Sequence, residues 1–280
     1  MLGVFKLLGV FKRTAFQLAW GMSKRIFPPG RISLIQLKIG GRMLIVPRNE
    51  DVGRQLYLFR SYERRESIFI RDRVRPTDIC FDVGANIGYH TTLMAQAVPA
   101  GEVHSFEPVP LNWHILSLNV LINRFQNVVY NNIALGDRQG RTTFSAASDG
   151  AYSSMVPTGR RTESARIEVE LDTLDAYADA HGIERVDILK VDVEGAEGLV
   201  LRGAQQLLSA PARRPRLIML ELFDSNHAPY RTSIEEILRQ MAEFGYSPQI
   251  VDPGGRPIDF QQCHWNVHPN VFFVGARESR

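Results

Sequence analysis

The chain has 280 residues, 44% hydrophobic and 22% charged, which suits one α/β domain of ordinary size plus an extension. The net charge of +3 hides an asymmetry: residues 1–49 hold nine Lys or Arg and no Asp or Glu, so residues 50–280 carry 24 basic against 30 acidic residues. The acidic body excludes a nucleic-acid binder, and two cysteines (Cys80 and Cys263) without metal-ligand spacing exclude a disulfide framework and point to a reducing, cytoplasmic compartment.

In chain order, residues 2–26 read as a basic helix. Val4, Leu8, Phe11, Ala15, Leu18 and Met22 recur at helical spacing, with Lys6, Arg13, Gln17 and Lys24 opposite. Charges interrupt every apolar run well before the roughly 18 residues a spanning helix needs. No cleavage site suits a signal peptide. The pattern fits a cationic segment, residues 1–27, lying on an anionic membrane surface, which would make the protein peripheral to a membrane. The alternative is packing on the body or on a second subunit of a homo-oligomer.

Pro28-Pro29-Gly30 closes that segment, giving a first unit at 1–29. Residues 32–39 and 42–46 flank Gly40-Gly41 and predict a β-hairpin; 50–72 reads as helical. Hairpin and lead-in form a second unit, 30–75, and the main domain spans 76–280.

From Pro76 strand and helix signals alternate. Strands are expected near 79–84, 102–107, 127–132, 186–193 and 216–222, and helices near 87–98, 110–124, 196–208 and 233–244. Alternation of this kind predicts a mostly parallel sheet covered by helices, a Rossmann-like α/β fold. A strand pair at 142–146 and 166–171 brackets a polar stretch, 147–165. Strands near 247–251 and 270–275, with no long helix between them, predict a late antiparallel pair at one edge, about seven strands in all.

Ligands bind outside the carboxyl ends of such strands. The first end supplies Asp82, Gly84, Asn86 and Gly88, a G-x-N-x-G turn leading into a helix N-terminus. Glu107 follows 19 residues after Gly88, where a carboxylate meets a ribose. Asp82 would repel a pyrophosphate and welcome an amine, so S-adenosylmethionine, with its amine, ribose and adenine and no phosphate, fits better than a dinucleotide. Asp192 and Glu194 lie two apart at the fourth strand's end, on one side of an extended segment, next to Lys190. Glu221 ends the fifth strand, and His227, in the polar loop beyond, faces the predicted pocket as a candidate base.

Asp82-Val-Gly-Ala-Asn-Ile-Gly88, Phe106-Glu107-Pro108, Asn132-Ile-Ala-Leu-Gly-Asp137 and Leu189-Lys190-Val-Asp192-Val-Glu194-Gly195-Ala-Glu197 resemble, in this order, the motifs of the FkbM-type methyltransferases. So do Leu171-Asp172-Thr-Leu174-Asp175 and Asn270-Val-Phe-Phe; the likeness covers about 60–276. It implies a class I methyltransferase fold, S-adenosylmethionine as donor, and usually a hydroxyl on a sugar, glycan, lipid or secondary metabolite as acceptor. It places Asp82 and Gly84 near the methionine end, Glu107 on the ribose, Ile133 and Ala134 at the adenine, and Asp192 near the methyl group. The resemblance leaves room for a divalent cation, for which Asp192, Glu194 and Glu221 are candidate ligands, and the spacing does not demand one. Catalytic roles are expected for Asp192, Glu194 and His227. An N-methyltransferase and a membrane-bound, non-catalytic scaffold are the rival readings.

Overall fold

The computed structural model describes residues 32–45, 51–147, 163–230, 232–260 and 270–275. The expectations for residues 2–26, for Cys263 and for most of 147–165 fall outside the described residues.

Short, continuously apolar segments make the central strands, because both faces of a parallel sheet are covered. These are β3 (Ile79–Val83), β4 (Glu102–Phe106), β5 (Val128–Asn131), β9 (Ile188–Val191) and β10 (Leu217–Glu221). All four residues of β9 are buried, as are the last four of β3 and of β4. With β11 (Tyr246–Val251), β12 (Pro257–Asp259) and β13 (Asn270–Gly275) they form one sheet in the order β12-β11-β13-β10-β9-β3-β4-β5. The five central strands pair in parallel, and β13 runs antiparallel between β10 and β11. The expected late antiparallel strand is thus β13. An eighth strand, β12, folds back on β11 over the Asp252–Arg256 turn.

Helices cover both faces. On one side α5 (Leu174–Ala180), α6 (Glu197–Arg202), α7 (Gln205–Ser209) and α9 (Ile234–Glu243) bury residues such as Tyr177, Leu201, Leu208 and Met241 against Phe81, Leu189 and Phe273. On the other, α2 (Arg64–Arg71) and α3 (Tyr89–Ala97) bury Phe69, Ile70, Leu93 and Met94 against Cys80, Ile188 and Phe272. Helix starts follow local chemistry. Thr173 Oγ1 accepts from Ala176 N at 3.1 Å, Ser233 and Glu236 form a capping box, and Pro110 opens α4 (Pro110–Asn123).

One helical expectation holds in two pieces and another is corrected. Residues 50–72 form two helices, α1 (Asp51–Phe59) and α2, separated by left-handed Arg60 and Glu63. The 196–208 helix is broken at Gly203, where a Cβ would lie 2.0 Å from the Gly136 carbonyl oxygen. Two short elements went unread: β6 (Ala134–Leu135), and α8 (Asp224–His227), a single turn.

The hairpin of β1 (Ser33–Gln36) and β2 (Arg42–Ile45) docks on α4. Asn119 and Asn123 hold the β2 backbone through Leu44 N at 2.6 Å, Arg42 N at 2.8 Å and both of those residues' carbonyls. Ile35, Met43 and Ile45 share a small core with Leu56, Ile87 and Ile115. A second sheet, β6-β8-β7, contains β7 (Gly140–Ala147) and β8 (Glu163–Asp172), whose pairing brackets the polar stretch.

Candidate active site

Strand register brings the acidic residues together. Val83 pairs with Phe106 on one side and Val191 on the other, and Val191 pairs with Leu220. The next residues therefore lie side by side at the carboxyl end of the sheet: Gly84, Glu107 and Asp192 just past their strands, and Glu221 as the last residue of β10. A cavity opens there, lined also by Asn86, Ile133, Ala134, Glu194, Lys190 and His90.

Gly84 has φ +74°, and both its N–H and that of Ala85 donate to Phe106 O at 3.0 Å. A Cβ on Gly84 would lie 1.8 Å from Asp192 O, so this glycine is required by the neighbouring chain as much as by any ligand. Asn86 is left-handed, with its side-chain oxygen accepting from Ile87 N at 2.7 Å. Its own N–H donates to Glu107 Oε2 at 2.8 Å, and Val109 N donates to Oε1 at 2.9 Å. Glu107 is 5% exposed; burial pushes its carboxyl up to about 7 against these two bonds, Lys190 and the Asn112 side chain. It is thus pinned by three donors, with acceptor capacity left toward the cavity.

Three expected site residues stand elsewhere. Asp82 is fully buried behind the cavity wall, accepting from Thr91 Oγ1 at 2.7 Å and pairing with Lys190 Nζ at 3.2 Å. Its charge is engaged by Lys190, because residue 82 lies within β3 and not at its open end. Gly88 lies at the start of α3 under Leu116, which a Cβ would meet at 3.1 Å, and forms no part of the wall. His227 lies not in a solvated loop but on α8, 1% exposed, with Nδ1 3.7 Å from Glu197 Oε2 and Thr232 beside it. The α8 turn folds it back toward Glu197, so the expectation that it faces the pocket is corrected.

Asp192 and Glu194 both line the cavity, for a different reason than a shared strand face. β9 ends at Val191, and Glu194 has φ +55° in the turn that follows. Asp192, Glu194 and Glu221 each present an oxygen within 4.8 Å of the others, a donor set of the hard type that divalent cations take. Burial and the surrounding Asp192, Glu194, Glu197 and Glu63 push Glu221 well above the ordinary carboxylate range, and its buried Oε2 has no hydrogen-bond partner.

Two residues were under-read in the sequence. Lys190 is 3% exposed and is the cation of the site: it donates to Gly84 O at 2.9 Å and pairs with Asp82 and, at 3.4 Å, Asp192. Its acidic neighbours outweigh burial and raise its pKa. His90 lines the cavity, 4% exposed, with Nε2 3.6 Å from Glu63 Oε2; burial lowers its imidazole to about 3 and raises Glu63 to about 8. A histidine two residues into a helix after a glycine turn is the one signal that marked it.

A mostly parallel sheet with β13 antiparallel between β10 and β11, a glycine turn after β3, and an acid directly after β4 define a class I methyltransferase fold. The sequence profile of the Methyltransferase FkbM domain matches residues 82–248. The chain belongs to the FkbM methyltransferase family.

Among relatives, methyltransferase sdnD of Sordaria araneosa is 29% identical over 171 residues, 46% of this chain and 66% of that protein. The 31-O-demethyl-FK506 methyltransferase FkbM of Streptomyces tacrolimicus is 29% identical over 183 residues, 55% of this chain and 69% of its own length. The 2-O-methyltransferase NoeI of Sinorhizobium fredii is 24% identical, covering 61% and 73%. The chain thus spans about two thirds of the length of these relatives, and just under that of the first. A solved methyltransferase FkbM from Methylobacillus flagellatus overlaps with a TM-score of 0.46 at 16% identity, over 72% of this chain and 44% of that one.

Proposed function

We propose that the protein transfers a methyl group from S-adenosylmethionine to a hydroxyl of a small-molecule, glycan or lipid acceptor. The observation that carries this reading is Glu107: a buried carboxylate, fixed by backbone donors at the strand end beside a glycine turn, with spare acceptor capacity toward the cavity. It suits a ribose diol. Ile133 and Ala134 supply an apolar wall for an adenine, and the Gly84–Asn86 turn leaves room for the methionine end. The relatives named for O-methylation support a hydroxyl acceptor.

When bound, S-adenosylmethionine supplies a methyl on a positively charged sulfur, which leaves with the C–S electron pair as the acceptor oxygen takes the methyl. The chain's own work is positioning and proton removal. Asp192, held by Lys190 on one side, takes the acceptor's proton. Glu194, in its left-handed turn, orients the acceptor. Lys190 ties Asp82, the Gly84 carbonyl and Asp192 into one rigid unit, so donor turn and base keep a fixed spacing. The Asp192, Glu194 and Glu221 set suits a divalent cation, and no step here depends on one. Residues 1–27 anchor the protein on anionic membrane, with self-association as the alternative use of that segment; no helix among the described residues is long and apolar enough to cross a membrane.

Calorimetry with S-adenosylmethionine tests the donor site, and extract incubated with light and methyl-deuterated donor, read by mass spectrometry, identifies the acceptor. Absence of donor binding, or of any mass-shifted product, overturns the reading. Flotation of full-length protein against one starting at Pro28 on anionic vesicles tests the anchor; equal failure of both removes it.

A further inference from the structure

We infer that the face formed by α4 and the β1–β2 hairpin docks on an anionic lipid bilayer. Seven large apolar residues are exposed among the described residues; four lie on these two elements, Leu34, Leu111, Leu118 and Leu121, and a fifth, Ile32, directly precedes β1. A sixth, Tyr130, sits beside α4, where Trp113 donates to its carbonyl at 3.3 Å. Leu111, Leu118 and Leu121 fall on one side of the helix, away from the buried Leu116, Asn119 and Val120, with Ile115 at the border between the two sides. The two elements are adjacent because Asn119 and Asn123 grip the β2 backbone.

The chemistry of this face is one-sided. Helix α4 contains no charged residue apart from the titratable His114, which a solvent-facing helix seldom does. No Asp or Glu occurs in residues 32–45 or 108–136, although residues 50–280 as a whole carry six more acidic than basic residues. The exposed charges there are cationic: Lys38, Arg42 and Arg124. Residues 1–31, which precede Ile32 in the sequence, hold six Lys or Arg and no acid. An exposed leucine stripe on segments whose exposed charges are all basic matches a surface that takes apolar side chains and attracts cations, which is an anionic bilayer. Fourteen residues are too few to span one, so α4 lies in the interface plane. The cavity residues Pro108 and Val109 directly precede α4, so a docked face sets the mouth of the site near the lipid surface.

The test uses full-length protein and sedimentation with phosphatidylcholine vesicles, with and without phosphatidylserine. Wild type partitions onto the anionic vesicles and weakens with salt. Leu118→Glu/Leu121→Glu, at side chains 43% and 71% exposed, lowers partitioning at least about tenfold while melting temperature and S-adenosylmethionine binding stay at wild-type values. Leu111→Glu, 61% exposed and two turns away, gives a loss in the same direction and serves if the double variant is unstable. Failure of wild type to sediment with anionic vesicles overturns the proposal. So does equal partitioning of the variants and wild type, which assigns all binding to residues 1–31. A wild-type dimer in gel filtration that the double variant dissolves overturns it too, by giving the face to a second copy of the chain.

Discussion

Glu107→Gln is the sharpest probe of the donor site. Burial holds the Glu107 carboxyl up at about 7, so it titrates across the neutral range. A ribose diol donates to the ionised form. Binding therefore pulls the carboxyl toward ionisation and releases a proton. The ionised fraction rises from about one tenth at pH 6 to about nine tenths at pH 8, so affinity should strengthen about tenfold across that window, or about 1.4 kcal/mol. At pH 7 about half a proton should leave per donor molecule bound, read by calorimetry in buffers of different ionisation enthalpy. Glu107→Gln removes the titration and one charged acceptor. It should lose about 1.5–3 kcal/mol of affinity at pH 8 and flatten the pH dependence. The amide also leaves one of the Asn86 and Val109 N–H groups facing an NH2, so a lower melting temperature is expected. An affinity flat from pH 6 to 8 in wild type, or the same slope in the variant, refutes the assignment of the ribose to Glu107.

Asp192→Asn should leave the fold intact, since Lys190 keeps Asp82 and the Gly84 carbonyl, and lower turnover by about two orders of magnitude in a single-turnover assay. His227→Gln should leave turnover per folded molecule unchanged and depress melting temperature, because the ring is buried against Glu197 and Thr232; a large fall in turnover with normal stability would return it to the site. Glu63, Glu197 and Glu107 are raised to about 8, 8 and 7, so the folded state binds more protons than the unfolded one from the ordinary carboxylate range up to those values. Their contribution to stability is full below about pH 4.5 and is lost as pH rises through 7 to 8. His90, lowered to about 3, contributes in the other direction, losing stability as pH falls below about 6.5. Thermal melts from pH 6.5 to 9 should fall, and Glu197→Gln should shallow that slope; an unchanged slope sinks the linkage.

Strand pattern and motif spacing were enough to give the fold class and much of the pocket. Apolar runs separated by helical periods fixed the parallel strands to within a residue or two, because a strand buried on both faces tolerates little else. Motif spacing placed Glu107, Asn86, Ile133, Ala134, Asp192 and Glu194 on the cavity wall, since each follows a strand whose end must lie at one edge. Only the tertiary structure decided which charges face the ligand and which face each other. Asp82 and Gly88 sit within two residues of wall positions, yet strand direction and the turn into α3 carry them away from it. Nothing in the spacing of Lys190 and Asp82 told that their side chains meet, because that contact spans 108 residues and exists only through the β3–β9 pairing. His227 turned inward on one unforeseen turn of helix, and His90 entered the wall through the α2 lead-in that brings Glu63 to it. Local pattern sets where a strand ends; partner choice across the sheet sets what its last side chain meets.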